Sequence, residues 1–329
     1  MENLHQLFPL LDQRIALALG ALVVGALIGF LAEKLCFISV LTQKIHRQVQ
    51  QVGLNLNRAD RSLQTRASRG FIVLGLLCFV ALLVGTCMEA ALHWHAWLEA
   101  LYLLALIALL SPQRYLIPAF RAKRAAKAGN WVALDAPLSA LAGGSAHSAD
   151  GHGKLRLTIE LLQQHFVHHT LGSTLAFVLA GMPGLLVYRM VQLCAQHYCE
   201  FLPAWRGFAW ASARLASVLA FFPQLFTIAL LCAALFWLPG AKPFRALAVL
   251  WRSGEGSVSL RYLVQALGIN VGGPRMLYGQ HIPAPWIGGE HSAQLDGKPL
   301  AQWVFAALFA LMLWVLVLAS ALLAFGPPN

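Results

Sequence analysis

The chain has 329 residues, 59% of them hydrophobic and 11% charged, against about 25% charged in an ordinary soluble domain. A water-soluble fold of this length has no interior large enough for that apolar surface, so lipid must cover part of it. The net charge of +11 at pH 7 is read as membrane topology and attraction to a membrane surface, and nucleic acid is not an expected partner.

In chain order, the first uncharged run is 15–32. Glu2 and Asp12 precede it against a single Arg14, the wrong bias for a signal peptide, and no small-residue cleavage site comes before Glu33 and Lys34. It is therefore a membrane span. The stretch KLCFISVLTQKIHRQVQQVGLNL follows, with Ile38, Leu41, Ile45, Val49 and Val52 at helical spacing and Lys34, Lys44 and Arg47 on the other side. That pattern predicts a helix lying on the membrane face or against the bundle. Further uncharged runs occupy 70–88, 170–188, 215–241 and 303–325, each near the roughly 20 apolar residues that cross a bilayer. The run 100–113 is shorter and gives a marginal sixth span. The expected fold class is all-α: one polytopic membrane domain over 1–329, a helical bundle with five strong spans and one marginal.

Lysine and arginine set the expected orientation. Segments 33–69 and 114–169 hold seven each and 242–302 holds six, so four remain elsewhere: Arg14, Arg189, Arg206 and Arg214. Six spans then place these three segments in the cytoplasm, with both termini and the loops 89–99 and 189–214 outside, in a bacterial inner membrane. The six cysteines show no paired spacing and read as small packed apolar residues, the alternative being one bridge among Cys87, Cys194 and Cys199 near the outer face. All secondary structure is expected to be helix joined by irregular loops.

Four features carry candidate chemistry. Glu160, in KLRLTIELLQQHFVHH, suits metal binding or proton transfer, although a solvated helix face is the commoner use of such a residue. His165 and His169 have the i, i+4 spacing of a metal pair without an evident third ligand, which favours a hydrogen-bonded histidine cluster at the interface. LAGMPGLLVYR, residues 179–189, interrupts a span with Gly181, Pro183 and Gly184. It reads as a kink or as a source of free backbone groups. GINVGGPRMLYGQ, residues 268–280, lacks the spacing of a Walker-type phosphate loop and reads as a turn whose amides meet an anion. Gly273 within it is expected to supply a positive φ or a close backbone approach.

Three blocks together resemble one family. LAGMPGLLVYRMVQ with GFAWASARLASVLAFFPQLFTIAL, and then LWRSGEGSVSLRYLVQALGINVGGPRMLYGQ, are similar in order and spacing to the corresponding blocks of the CobD/CbiB membrane family. The resemblance covers most of 70–286. It implies adenosylcobinamide-phosphate synthase, which joins an aminopropanol or its phosphate to a carboxylate of a corrinoid with ATP hydrolysis. It also implies Mg²⁺ and ATP as cofactors and membrane lipid and a corrinoid substrate as partners. Glu160 and Glu255 would be the catalytic carboxylates, with Glu160 holding the metal. Tyr188, Arg189, Arg214, Gly272, Gly273, Pro274, Tyr278 and Gly279 would bind substrate. The family's acids are not all kept: Gln164 and His165 stand where Glu and Asn are expected, His168 and His169 replace Asp-Gly, and Ala216 and Ser217 replace two acids beside Arg214. AmpE, a superfamily relative linked to β-lactamase induction, also lacks those acids. The alternative expectation is therefore a non-catalytic membrane sensor or regulatory partner.

Overall fold

The computed structural model describes the chain apart from residues 1, 33–35, 59, 93, 143–145, 148–150, 199–203, 251–255, 278–279, 283, 289–294 and 326–329. In chain order the elements are α1 (Glu2–Ala32), α2 (Cys36–Leu56), α3 (Leu63–Ala91), α4 (Ala96–Leu110), α5 (Gln113–Lys127), α6 (Asp135–Ala142) and β1 (Ala146–His147). Then come α7 (Gly151–His165), a π-helical segment (Phe166–Gly172), α8 (Ser173–His197), α9 (Trp210–Phe236), α10 (Pro243–Val249) and α11 (Val258–Leu267). The chain closes with β2 (Val271–Gly272), β3 (Arg275–Leu277), β4 (Gln280–Ile282), β5 (Trp286–Ile287) and α12 (Lys298–Phe325).

Six stretches are long and apolar enough to cross a membrane: Leu10–Leu27, Leu63–Ala91, Ala96–Lys127, Gly151–His197, Trp210–Phe236 and Lys298–Ala324. The marginal run 100–113 belongs to the third of these, where α4 is followed by α5 after Ser111 and Pro112. On α3, Phe71, Ile72, Leu76 and Phe79 are all more than half exposed. Such an apolar surface is stable only against lipid, so the chain is a multi-pass membrane protein with an all-α bundle.

The helices group into two compact units, one of residues 1–111, 168–221 and 317–329, the other of 112–167 and 222–316. In the first unit α8 is not one straight rod. Gly181 has φ 67° and ψ −158°, and the chain reverses there. Tyr188 on the second arm reaches back to the first: its hydroxyl lies 3.2 Å from His168 Nδ1, and a Cβ on Gly172 would sit 2.0 Å from that oxygen. Residues 168–197 therefore form a helical hairpin, and the second arm packs antiparallel on α3. Gly85 meets Pro183 at one end, while Arg66 donates to the Ala204 carbonyl at the other.

This hairpin corrects the expected topology. His197 Nε2 lies 3.0 Å from His46 Nδ1, the Tyr198 hydroxyl donates to Val49 O at 2.8 Å, and Asn57 donates to Ala204 O at 2.8 Å. The far end of α8 thus shares one end of the unit with α2 and the start of α3. The 189–214 segment was expected across the membrane from 33–69. A glycine at positive φ turns the helix back on itself, which hydropathy cannot register.

In the second unit the core is aromatic. Tyr115 makes edge-on contacts with Phe166 and Trp303, at centroid distances of 6.1 Å and 6.4 Å. Trp303 Nε1 donates to Gln163 Oε1 at 3.0 Å, with both side chains fully buried. Lys154 pairs with Asp135 at 2.8 Å and His165 Nε2 donates to Leu141 O at 2.8 Å, so α6 is fixed to α7 at both ends. Short strands replace part of the expected irregular loop. β1, β3 and β4 form a three-stranded antiparallel sheet, and β2 and β5 form a two-stranded one.

Candidate functional site

The second unit brings α7 against the β2–β5 ribbon and α11. Leu155, Ile159, Leu162 and Gln163 fill the covered face of α7, and Glu160 lies there with them at 6% exposure. The expectation of a solvated face for Glu160 is therefore corrected. Its sequence context is polar, but neighbouring elements cover this face of the helix in the fold. A carboxylate taken from water must be hydrogen-bonded or paired where it sits.

The ribbon shows what the glycine-rich run does locally. Val271 pairs with Ile287 and Gly272 with Trp286. Gly272 and Gly273 have φ values of 78° and 79°, a region open to glycine and disfavoured for other residues. Space is limiting too: a Cβ on Gly272 would stand 2.4 Å from Pro285 O, and one on Gly273 2.7 Å from the Trp286 ring. The Gly273 N–H donates to Pro285 O at 3.1 Å. That amide closes the ribbon, so the expected anion-facing role does not hold for it. Pro274 is exposed. Tyr278, Gly279 and Glu255 lie outside the described residues or side chains.

Arg156 was not singled out in the sequence, yet its guanidinium lies 4.9 Å from the Trp286 ring centroid. It precedes Glu160 by one helical turn on α7, and that i, i+4 relation to an acid is the signal that points to it. The contact is a cation–π pair holding α7 to the ribbon. The start of α11 is capped twice: Ser257 Oγ accepts from Leu260 N, and Gln224 Oε1 accepts from Val258 N at 2.8 Å. Those amides are therefore engaged by the protein. Tyr262 on α11 is fully buried, and burial pushes its phenol pKa up, so it stays protonated at neutral pH.

The same unit contains a mixed polar and apolar cavity of about 500 Å³, lined among others by His152, Gly268, Asp296, Lys298 and Gln302. This volume is in the range of small-molecule sites. His152 begins α7 and its Nδ1 donates to Leu295 O at 2.7 Å. Glu160 follows it along the same helix by about 12 Å. Gly268, the first residue of the glycine-rich run, ends α11 in the left-handed conformation at φ 65°.

The remaining expected site residues belong to the first unit. Tyr188 is buried in the hairpin against His168, Arg189 Nη2 donates to Leu109 O at 2.7 Å, and Arg214 is exposed on α9. Of the histidine pair, His165 Nε2 donates to Leu141 O, and His169 lies in the π-helical segment. Among the described residues no three His, Cys, Asp or Glu side chains cluster as metal ligands.

These blocks belong to a recognisable whole. The family described as CobD/Cbib protein matches residues 19–304. The chain belongs to this family. It is a cobalamin-biosynthesis CobD/CbiB-family membrane protein. Its relatives include the "Cobalamin biosynthesis protein CobD" of Yersinia enterocolitica, 28% identical over 170 residues, which are 49% of this chain and 53% of the relative. The protein of the same name from a Sinorhizobium species is 27% identical over 244 residues, 71% of this chain and 75% of the relative. That of Rhizobium meliloti is 28% identical over 193 residues, 56% and 59% of the two chains. The chain thus spans between about half and three quarters of the length of these relatives. No solved structure matches it.

Proposed function

We propose that this CobD/CbiB-family protein is an ATP-dependent amide-forming ligase of the adenosylcobinamide-phosphate synthase type, with a reduced set of carboxylates. The supporting observation is Glu160: an acid to which the resemblance gives a catalytic role, buried on the helix that packs against the Gly272–Gly273 ribbon. The same helix begins at the 500 Å³ cavity, where Lys298 and His152 offer groups for an anionic substrate and Asp296 for an amine. In this reading Glu160 and Glu255 serve the chemistry. Arg156 and the glycine ribbon fix the wall on which Glu160 sits.

The donor set suits a magnesium ion carried in with nucleotide phosphates better than a resident metal. Mg²⁺ is commonly held by one or two carboxylates while phosphates and water complete its shell. Glu160 would supply such a ligand, and when bound the ion neutralises phosphate charge during ATP cleavage. The chain would work at the inner membrane of a bacterium, in contact with lipid and a corrinoid.

A second reading, a non-catalytic AmpE-like regulatory partner, is favoured by the acids absent at Gln164, Ala216 and Ser217. Growth that depends on corrinoid synthesis in a synthase-deleted host separates the two. The ligase reading expects weak complementation that Glu160→Gln abolishes at unchanged membrane abundance. No complementation at any expression level, or growth indifferent to Glu160→Gln, overturns it.

A further inference from the structure

We infer that Arg14 and Glu89 form a polarity-matched clamp on the tip of the α8 hairpin, a conformational latch that holds its two arms closed. At the reversal the first arm ends with unpaired carbonyls and the second begins with unpaired N–H groups, as any helix terminus does. In a membrane-embedded unit those groups are costly unless protein satisfies them. Arg14 from α1 donates to Leu179 O at 3.4 Å, at the carbonyl end of the first arm. Glu89 from α3 accepts from Met182 N at 2.8 Å, at the amide end of the second. Each charge therefore faces the helix end whose partial charge it complements. The two side chains also lie 3.8 Å apart, 27% and 30% exposed.

Gly181 shows how closely the clamp seats. A Cβ there would stand 2.0 Å from Glu89 Oε1 and 2.8 Å from Arg14 Nη2. The tip can approach both charges only because this residue has no side chain and takes φ 67°. A further glycine, Gly85, lets α3 lie against Pro183, where a Cβ would meet the proline backbone at 2.4 Å. The consequence reaches beyond the tip. The second arm carries Tyr188 and Arg189, which meet His168 and Leu109 O. A loosened tip frees the arm that positions both.

The arrangement separates a clamp from a simple ion pair. Exchanging the charges keeps an ion pair but presents a cation to the amide end and an anion to the carbonyl end. The test uses the full chain in detergent with its native cysteines replaced and a single reporter, Met182→Cys, at a position that is fully buried. Its reaction rate with a water-soluble maleimide is read. Glu89→Ala, which removes a cap and the charge pair, should raise the rate about tenfold. Arg14→Lys should stay near the parent rate. The exchange Arg14→Glu with Glu89→Arg should remain as fast as Glu89→Ala. Should Glu89→Ala not fold, Glu89→Gln keeps an acceptor for Met182 N and should label at an intermediate rate. A slow rate restored by the exchange reduces the clamp to an ion pair. An unchanged rate in Glu89→Ala, or in Glu89→Gln where only that variant folds, removes it.

Discussion

Replacing either glycine of the β2–β5 ribbon by alanine should destabilise the second unit, and Gly272 should be the more sensitive. Both residues sit near φ 78°, which costs an ordinary residue about 1–2 kcal/mol. At Gly272 the new Cβ stands 2.4 Å from Pro285 O. That oxygen is a backbone atom bonded to Gly273 N, so the ribbon itself must shift, at a further 1–3 kcal/mol or about 3 kcal/mol in all. At Gly273 the clash is with the Trp286 ring at 2.7 Å. The ring is 48% exposed and can swing away, losing its contact with Arg156 at a cost of about 0.5–1 kcal/mol. Its total is about 2 kcal/mol. At roughly 2–4 °C per kcal/mol for a unit of this size, Gly272→Ala should lower the detergent-solubilised melting temperature by about 6–12 °C and Gly273→Ala by about 4–8 °C. In a Trp286→Ala background the Gly273→Ala cost should shrink while that of Gly272→Ala persists. Equal relief of both, or the reverse order of the single variants, would refute the assignment of a backbone clash to one glycine and a side-chain clash to the other.

Trp303→Phe should cost about 1–3 kcal/mol, because it strands the buried Gln163 acceptor, and adding Gln163→Leu should recover part of the loss in the same melting assay. A smaller deficit in Trp303→Phe than in the double variant would contradict this. Glu160→Ala should lose more stability than Glu160→Gln, since alanine leaves a cavity and unmatched partners on a covered helix face, while both should lose corrinoid-dependent growth. Impermeant labelling of single cysteines at Arg61 and Arg206 should report the same membrane face, and His95 the other. Labelling of Arg206 together with His95 would restore strict alternation of the loops and remove the hairpin.

The sequence by itself determined the class of molecule. Uncharged runs of bilayer length are local properties of consecutive residues, because a helix in lipid satisfies its own backbone, so the spans were legible without any long-range contact. The break at Gly181 and the positive φ at Gly273 were likewise visible as glycine within two residues of proline. What followed from the break was not. Hydropathy counts apolar residues without recording that a chain turns back, and only Tyr188 on His168 and Tyr198 on Val49 show that the arm returns to α2. Charge behaved in the same way. Glu160 was identified by its type, but whether a helix face meets solvent depends on what packs on it, here α11 and a ribbon drawn from residues more than a hundred positions away. Arg14 and Glu89, two isolated charges at the ends of different spans, acquire a role only when the fold brings a helix terminus of the matching polarity to each. Local chemistry set which elements form; the tertiary structure decided which of their polar groups face one another, because those contacts join residues that no sequence spacing relates.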